Sequence, residues 1–342
     1  MNILIVKLSA IGDVIHTLPS LRELRRRYPE AHITWVIEEA SADLIKDHPD
    51  LDRILIFPRK RWIKEFKAGR LRKPAGEMRA WIHSLRERPY DLVIDFHGLF
   101  KSAFIVFLSG GKRKLGYDSM QELSGLFYNE KIPENMEKHA VDRYLDFPRY
   151  LGANIGKPEF PIAIRPLHER NIAEILKSYG LYEHEKDAFI VVSPVALWET
   201  KLWQNEKFAR LADRINEELD MKVILTGAER KILDDIQRRM RTSSINLGGQ
   251  TTLRELACLY RQAKLVISTD SGPMHLAAAV GTPVIALFGP TDPRRTGPYG
   301  EGHLVIQKAL SCSPCLLKKC DSMQCMRDIS VEDIFEAVRE KV

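Results

Sequence analysis

The sequence predicts an α/β chain of two Rossmann-like, doubly wound domains facing each other across a cleft. Three observations carry this. Short, near-continuous apolar runs alternate with helix-period segments, the pattern of a parallel sheet covered on both faces. The alternation stops at a proline-rich stretch, residues 156–166, and then begins again. The chain is also 342 residues long, about twice an ordinary domain, so two domains are expected.

In order along the chain, Ile3, Leu4, Ile5 and Val6 open as a β-rich run, and Gly12 and Asp13 follow as a loop. Residues 14–28 read as a helix with Leu18, Leu21 and Leu24 on one face. Residues 33–37, 54–57 and 92–96 read as further strands, separated by helical segments at 77–88 and 98–108. After the linker, strands are expected at 188–193, 222–225, 265–268 and 284–288. Helices are expected at 205–219, 229–240, 253–263 and 274–280, with a closing helix at 329–342. The predicted boundaries are therefore an N-terminal domain over 1–160, a C-terminal domain over 161–328 and the final helix. Open α/β sheets bind ligands beyond the carboxyl ends of their strands, so chemistry is sought in those loops.

Composition narrows the function classes. With 44% hydrophobic and 29% charged residues, the chain is neither disordered, collagen-like nor a coiled coil. No apolar run nears the roughly 18 residues that cross a bilayer, and the opening residues carry no basic leader pattern, so a cytoplasmic location is expected. Five cysteines are too few for a disulfide scaffold. The net charge of +6 is concentrated: residues 59–73 hold eight basic side chains against the single acid Glu65, leaving the rest near neutral. Such an island implies an anionic partner, or else a solvated basic helix.

Missing motifs prune further. Neither G-x-G-x-x-G after the first strand nor G-x-x-x-x-G-K-[ST] occurs, and there is no G-x-S-x-G elbow. The only D-x-D, Asp50-Leu51-Asp52, sits just before a strand and reads as a turn with capping chemistry rather than a metal–diphosphate site. Four constellations remain. Asp13 lies at a strand-to-helix junction, where N–H groups hold a carboxylate ionised; it suits a general base, or simply caps the helix. The block Ser268-Thr-Asp270-Ser271-Gly272-Pro273-Met-His275 follows a strand and opens a helix with Pro273 in its first turn, leaving N–H groups for an anion. His275 is either a phosphate donor or a core histidine. Lys201, flanked by Trp198 and Trp203, is either a cation for a leaving diphosphate or a surface lysine over aromatics. Cys312, Cys315, Cys320 and Cys325 have metal-ligand density, with structural zinc or free thiols as the two readings, while Cys258 reads as core.

Together these residues resemble the lipopolysaccharide heptosyltransferases of glycosyltransferase family nine. The resemblance runs through Lys7-Leu-Ser-Ala-Ile-Gly-Asp-Val-Ile-His-Thr-Leu-Pro19, through residues 91–102 and 139–143, and through the block 268–290 ending Gly-Thr-Pro-Val-Ile-Ala-Leu-Phe-Gly-Pro. The Gly-Asp-Val-x-His-Thr-Leu-Pro wording is more similar to type I of the family, while the cysteine cluster looks more like type II. The resemblance implies a GT-B fold and inverting transfer of L-glycero-D-manno-heptose from ADP-heptose to Kdo of a lipid A precursor. By the same resemblance, Asp13 is the general base. Lys201, Glu229, Asp270, Ser271, Gly272 and His275 bind the nucleotide sugar, and Arg59, Arg61, Lys64, His139 and Arg143 the acceptor. One departure is that Ala196-Leu197 stand where type I often has adjacent threonines.

No cofactor is then required, since helix N–H groups, Lys201 and His275 can stabilise the leaving ADP; structural zinc on the four cysteines is the one metal candidate. The implied acceptor is Kdo-lipid A at the cytoplasmic face of the inner membrane, met peripherally through the basic island with Trp62 and Phe66 as apolar contacts. Other family-nine transferases, type II included, are the nearest alternatives. A UDP-sugar 2-epimerase and a nucleic-acid-binding protein built on 59–73 are the distant ones, and no nucleic acid is expected as partner.

Overall fold

Branched aliphatic side chains in unbroken runs build two sheets that share one strand order. The computed structural model describes residues 1–119, 121–181 and 188–342. It divides into two units, Met1–Ala163 and Ile164–Val342.

The first unit holds β1 (Asn2–Val6), β2 (His32–Glu38), β3 (Arg53–Phe57), β4 (Leu92–Asp95), β5 (Arg113–Tyr117) and β6 (Glu130–Ile132). They pair in parallel in the order β3-β2-β1-β4-β5-β6. Ile3, Leu4, Ile5 and Val6 are wholly buried, as a central strand sandwiched by helices requires. The second unit holds β7 (Phe189–Ser193), β8 (Lys222–Leu225), β9 (Ile245–Asn246), β10 (Leu265–Thr269), β11 (Val284–Phe288) and β12 (Leu304–Gln307), in the order β12-β11-β10-β7-β8-β9. Both sheets thus reverse winding between a first and a fourth strand: β1 beside β4, and β7 beside β10. Such switch points are where open α/β sheets receive ligands. The strands β5, β6, β9 and β12 were not anticipated.

The helix after β1 spans Ile11–Arg27, three residues earlier than its apolar period suggested. Asp13 explains this, because its Oδ2 accepts the Ala10 N–H at 3.1 Å and fixes the first turn. The capping role is therefore real. Asp50 and Asp52 are also turn residues: Asp50 pairs with Arg22 at 2.9 Å, and Asp52 takes the Ile33 N–H at 2.8 Å and Arg25 at 2.6 Å.

The basic island is two helices, Arg59–Lys67 and Arg72–Leu85, parted at Gly69 with φ +75°. One expected contact is corrected. Trp62 is only 3% exposed and packs on Phe57 and Trp81, donating to Glu77, so it is core and cannot face a membrane. Phe66 does reach solvent. In the second unit the closing helix Val331–Lys341 is capped by Ser330 and buries Ile334, Phe335 and Val338 in the unit's own core. Cys258 is buried.

Candidate functional site

At the first switch point two carboxylates meet opposite fates. Asp95, ending β4, is wholly buried; burial pushes its carboxyl up even though Oδ1 accepts the His97 and Gly98 N–H groups and Oδ2 the Tyr128 hydroxyl. It braces the loop after β4. Asp13 is open, with 43% of its side chain exposed. Partial desolvation works against its charge, yet the Lys7 ammonium, the Ala10 N–H and the Tyr144 hydroxyl outweigh that and hold the carboxyl below its ordinary value. Environment thus leaves Asp13 a reachable, ionised carboxylate and Asp95 a buried one with its carboxyl pushed up.

The groups around Asp13 lie far apart in sequence. Lys7, the residue after β1, is 3% exposed and donates to the Phe96 carbonyl at 3.0 Å and to the Tyr144 oxygen at 2.6 Å. Tyr144 in turn donates to Asp13 Oδ1 at 3.0 Å, and Lys7 Nζ lies 3.5 Å from that same atom. Burial lowers the Lys7 ammonium below its usual range, with Asp13 pulling the other way. Tyr144 is pushed well above its ordinary value by burial and then by the Asp13 charge, so it stays a donor. His97 is brought down to about 3 by burial and by the ammoniums of Lys7 and Lys101, with Asp13 and the Ser9 backbone pulling the other way, so its imidazole is neutral. Lys7, Tyr144 and His97 were missed as site residues. The one available signal was Lys7, a charged residue continuing a buried parallel strand.

The expected acceptor residues fall into two groups. His139 caps the helix Ala140–Tyr150, accepting the Val141 N–H, and its ring meets that of His16 at 5.3 Å. Arg143 on the same helix is only 9% exposed and lies between Glu134, Met136 and the Tyr144 ring. These two flank Asp13 through their neighbours. Arg59, Arg61 and Lys64 instead share the helix following β3; Arg59 pairs with buried Glu38 at 2.8 Å and Arg61 with Glu77 at 3.0 Å, while Lys64 is exposed.

In the second unit, Asp270 directly follows β10 and is 4% exposed. Its Oδ2 receives Lys201 Nζ at 2.6 Å and the Thr291 hydroxyl at 2.5 Å. This joins the loops after β7, β10 and β11. Ser271 then stands at the N-cap position of the helix Gly272–Ala279, with no capping hydrogen bond from its side chain; the helix's first residues are half-exposed and its His275 is buried. Glu229 stands exposed before the helix Arg230–Arg239, at the same carboxyl edge after β8. The tryptophan pair is corrected: Lys201 lies 4.6 Å above Trp198 alone, shared with Lys318 at 5.2 Å, while Trp203 is core and donates to the Ile329 carbonyl. Two lysines, a half-exposed helix start and an aromatic floor thus meet at this edge, an arrangement with the chemistry to receive an anion.

The cysteines gather under that site. Burial pushes the Cys325 thiol up, and nearby Cys315, Cys312 and Cys320 add to the shift, so the four thiols share one neighbourhood. Among the described residues, however, no group of three or more His, Cys, Asp or Glu is arranged to hold a metal ion, so the zinc candidate finds no ligand geometry. Hydrogen bonds shape the segment instead: Ser313 donates to the Gly289 carbonyl, the Cys315 and Leu316 N–H groups to Pro290, and Thr200 to the Leu317 carbonyl. It buttresses the loops carrying Lys201 and Thr291.

Two parallel sheets of identical winding, one offering a carboxylate and the other a cationic helix end, are the architecture of the GT-B glycosyltransferases. Within that class the chain belongs to glycosyltransferase family 9, the heptosyltransferases, whose model matches residues 78–326. It is similar to lipopolysaccharide heptosyltransferase 1 of Pseudomonas aeruginosa, with 32% identity over 100% of this chain and 92% of that protein. With lipopolysaccharide heptosyltransferase 1 of Escherichia coli K12 it shares 29% identity over 90% and 93% of the two chains. The structure of E. coli heptosyltransferase WaaC with ADP matches with a TM-score of 0.80 at 26% identity, over 100% of both chains.

Proposed function

We propose that this protein is an inverting heptosyltransferase of type I, moving L-glycero-D-manno-heptose from ADP-heptose to Kdo of the lipopolysaccharide inner core. The observation that carries the mechanism is Asp13, a half-open carboxylate kept ionised by Lys7, Tyr144 and the Ala10 N–H. In this reading Asp13 takes the proton of the acceptor hydroxyl as its oxygen bonds to the anomeric carbon. The bond from that carbon to the ADP oxygen breaks on the opposite face, inverting the configuration. Charge growing on the diphosphate meets Lys201, the N–H groups of Ser271 and Gly272, and His275, donors fixed in advance. Asp270 holds Lys201 in place, and Glu229 meets the ribose.

The N-terminal unit takes the acceptor and the C-terminal unit the donor. Arg59, Arg61, Lys64, His139 and Arg143 hold the phosphates and carboxylates of a Kdo-lipid A acceptor, and the protein works at the cytoplasmic face of the inner membrane as a peripheral enzyme. In support, among the described residues no helix is long and apolar enough to cross a membrane, and residues 59–73 carry a concentrated positive charge. The deciding experiment is a transfer assay with ADP-heptose and Kdo-lipid A, read by product mass. A mass gain of one heptose on Kdo is expected; transfer only to an acceptor already bearing heptose would make the enzyme type II, and transfer only from another nucleotide sugar would sink the donor assignment.

A further inference from the structure

The helix Phe100–Ser109 is apolar on every side between its polar ends, Lys101 and Ser102 at one and Ser109 at the other. Its inner face buries Ala103, Ile105 and Val106 on the sheet. Its outer face carries Phe100, Phe104 and Phe107, which are 48%, 45% and 54% exposed. Their rings form a row, 6.3 Å and 6.4 Å between successive centroids, over a base supplied by Phe127 at 5.8 Å and 6.0 Å. Leu123 and Leu126 on the adjoining turn extend the patch at 57% and 68% exposure, and Leu123 sits in left-handed backbone at φ +62°, costly for a bulky residue. A helix apolar all round belongs in a core or against lipid, and this outer face is not in the core.

Charged groups frame the row: the Glu122 carboxylate accepts the Phe100 N–H at 3.2 Å, and cations stand at both ends. Lys114 Nζ lies 5.9 Å from the Phe107 ring. At the other end Lys101 is 3.7 Å from Glu38, the carboxylate that also holds Arg59 at 2.8 Å, so the aromatic row runs on into the basic helix Arg59–Lys67. We propose that this aromatic row, with Leu123 and Leu126, is the seat on which the N-terminal unit lies against an anionic phospholipid bilayer, its rings in the acyl boundary and the flanking lysines at the headgroups. The charge pattern selects this occupant: a second copy laid symmetrically on the row would set cation against cation. The proposal rests on a lipid-borne acceptor, because a soluble one would give the rings nothing to enter.

Vesicle sedimentation without any acceptor glycolipid tests it apart from the transfer reaction. The parent protein should bind phosphatidylglycerol-containing vesicles better than pure phosphatidylcholine. Phe104→Ser/Phe107→Ser should lower that partitioning on the order of tenfold or more, given the apolar area the two rings would bury. Phe104→Trp should keep it. Both variants should leave turnover of a water-soluble, deacylated acceptor unchanged, which also establishes that they fold. Equal partitioning of parent and double variant would overturn the proposal, as would parent binding only when acceptor glycolipid is present, or a concentration-dependent dimer that the double variant abolishes. Failed heptose transfer alongside intact vesicle binding would sink only the assigned reaction.

Discussion

Replacing Tyr144 by phenylalanine removes one oxygen that serves two charges. That oxygen accepts from Lys7 at 2.6 Å and donates to Asp13 at 3.0 Å, while the ring it sits on packs 5.9 Å from Phe96 and remains in the variant. A hydrogen bond to a charged group contributes about 1.5–3 kcal/mol, and about 1.4 kcal/mol corresponds to one pKa unit. Asp13 keeps the Ala10 N–H and the nearby Lys7 ammonium, so the lower end applies and its pKa should rise by about one unit. The sign follows from the lowered starting value. Asp13 works ionised, activity falls as pH drops through its pKa, and a higher pKa starts that fall at higher pH. The acid limb of kcat/KM should therefore move up by about one pH unit. On the alkaline plateau the loss should be about tenfold, from poorer aim of the carboxylate, against the 10²–10⁴ expected for Asp13→Ala. The assay is a pH profile of heptose transfer for parent, Tyr144→Phe and Asp13→Ala. Superimposable acid limbs for parent and Tyr144→Phe would refute this account of the site.

Three further outcomes are expected. Lys201→Ala should weaken ADP binding about 10–100-fold by calorimetry, the value of one charge-assisted contact; an unchanged Kd would return Lys201 to the role of a structural partner for Asp270. Arg61→Glu/Lys64→Glu should raise the acceptor KM while leaving donor affinity alone, and an unmoved KM would make the island mere solvated surface. Protein purified without chelator should contain sub-stoichiometric zinc and iron, because the cysteine segment is shaped by backbone hydrogen bonds to Gly289 and Pro290; a full equivalent of either metal would contradict that.

The sequence was most legible where one physical demand dominates. A central parallel strand must be apolar on both faces, so β1, β4, β10 and β11 stand out, whereas β5, Arg113-Lys-Leu-Gly-Tyr117, is half polar and passes for a loop. Asp13 and the helix opening at Gly272 are marked by their strand-to-helix junctions, but position alone left Asp13 open between a base and a helix cap. Tyr144 does not, because it lies 131 residues from the carboxylate it serves and sits mid-helix among ordinary neighbours. Trp62 and Trp203 misled for the opposite reason: a tryptophan inside a basic run, or two residues from a lysine, resembles a surface contact, and only packing reveals a core residue. Phe100, Phe104 and Phe107 were hidden too, since a row of phenylalanines reads as interior until the missing cover is seen.

The shared strand order has a bearing on engineering. In each unit the reactive loops hang from the middle of the sheet, while β3 and β6 in one, and β9 and β12 in the other, form the outer margins. Grafts confined to the margins should thus leave the chemistry undisturbed, and chimeras that exchange the segment after β3 offer a route to retargeting the transferase toward new glycolipids without touching its donor.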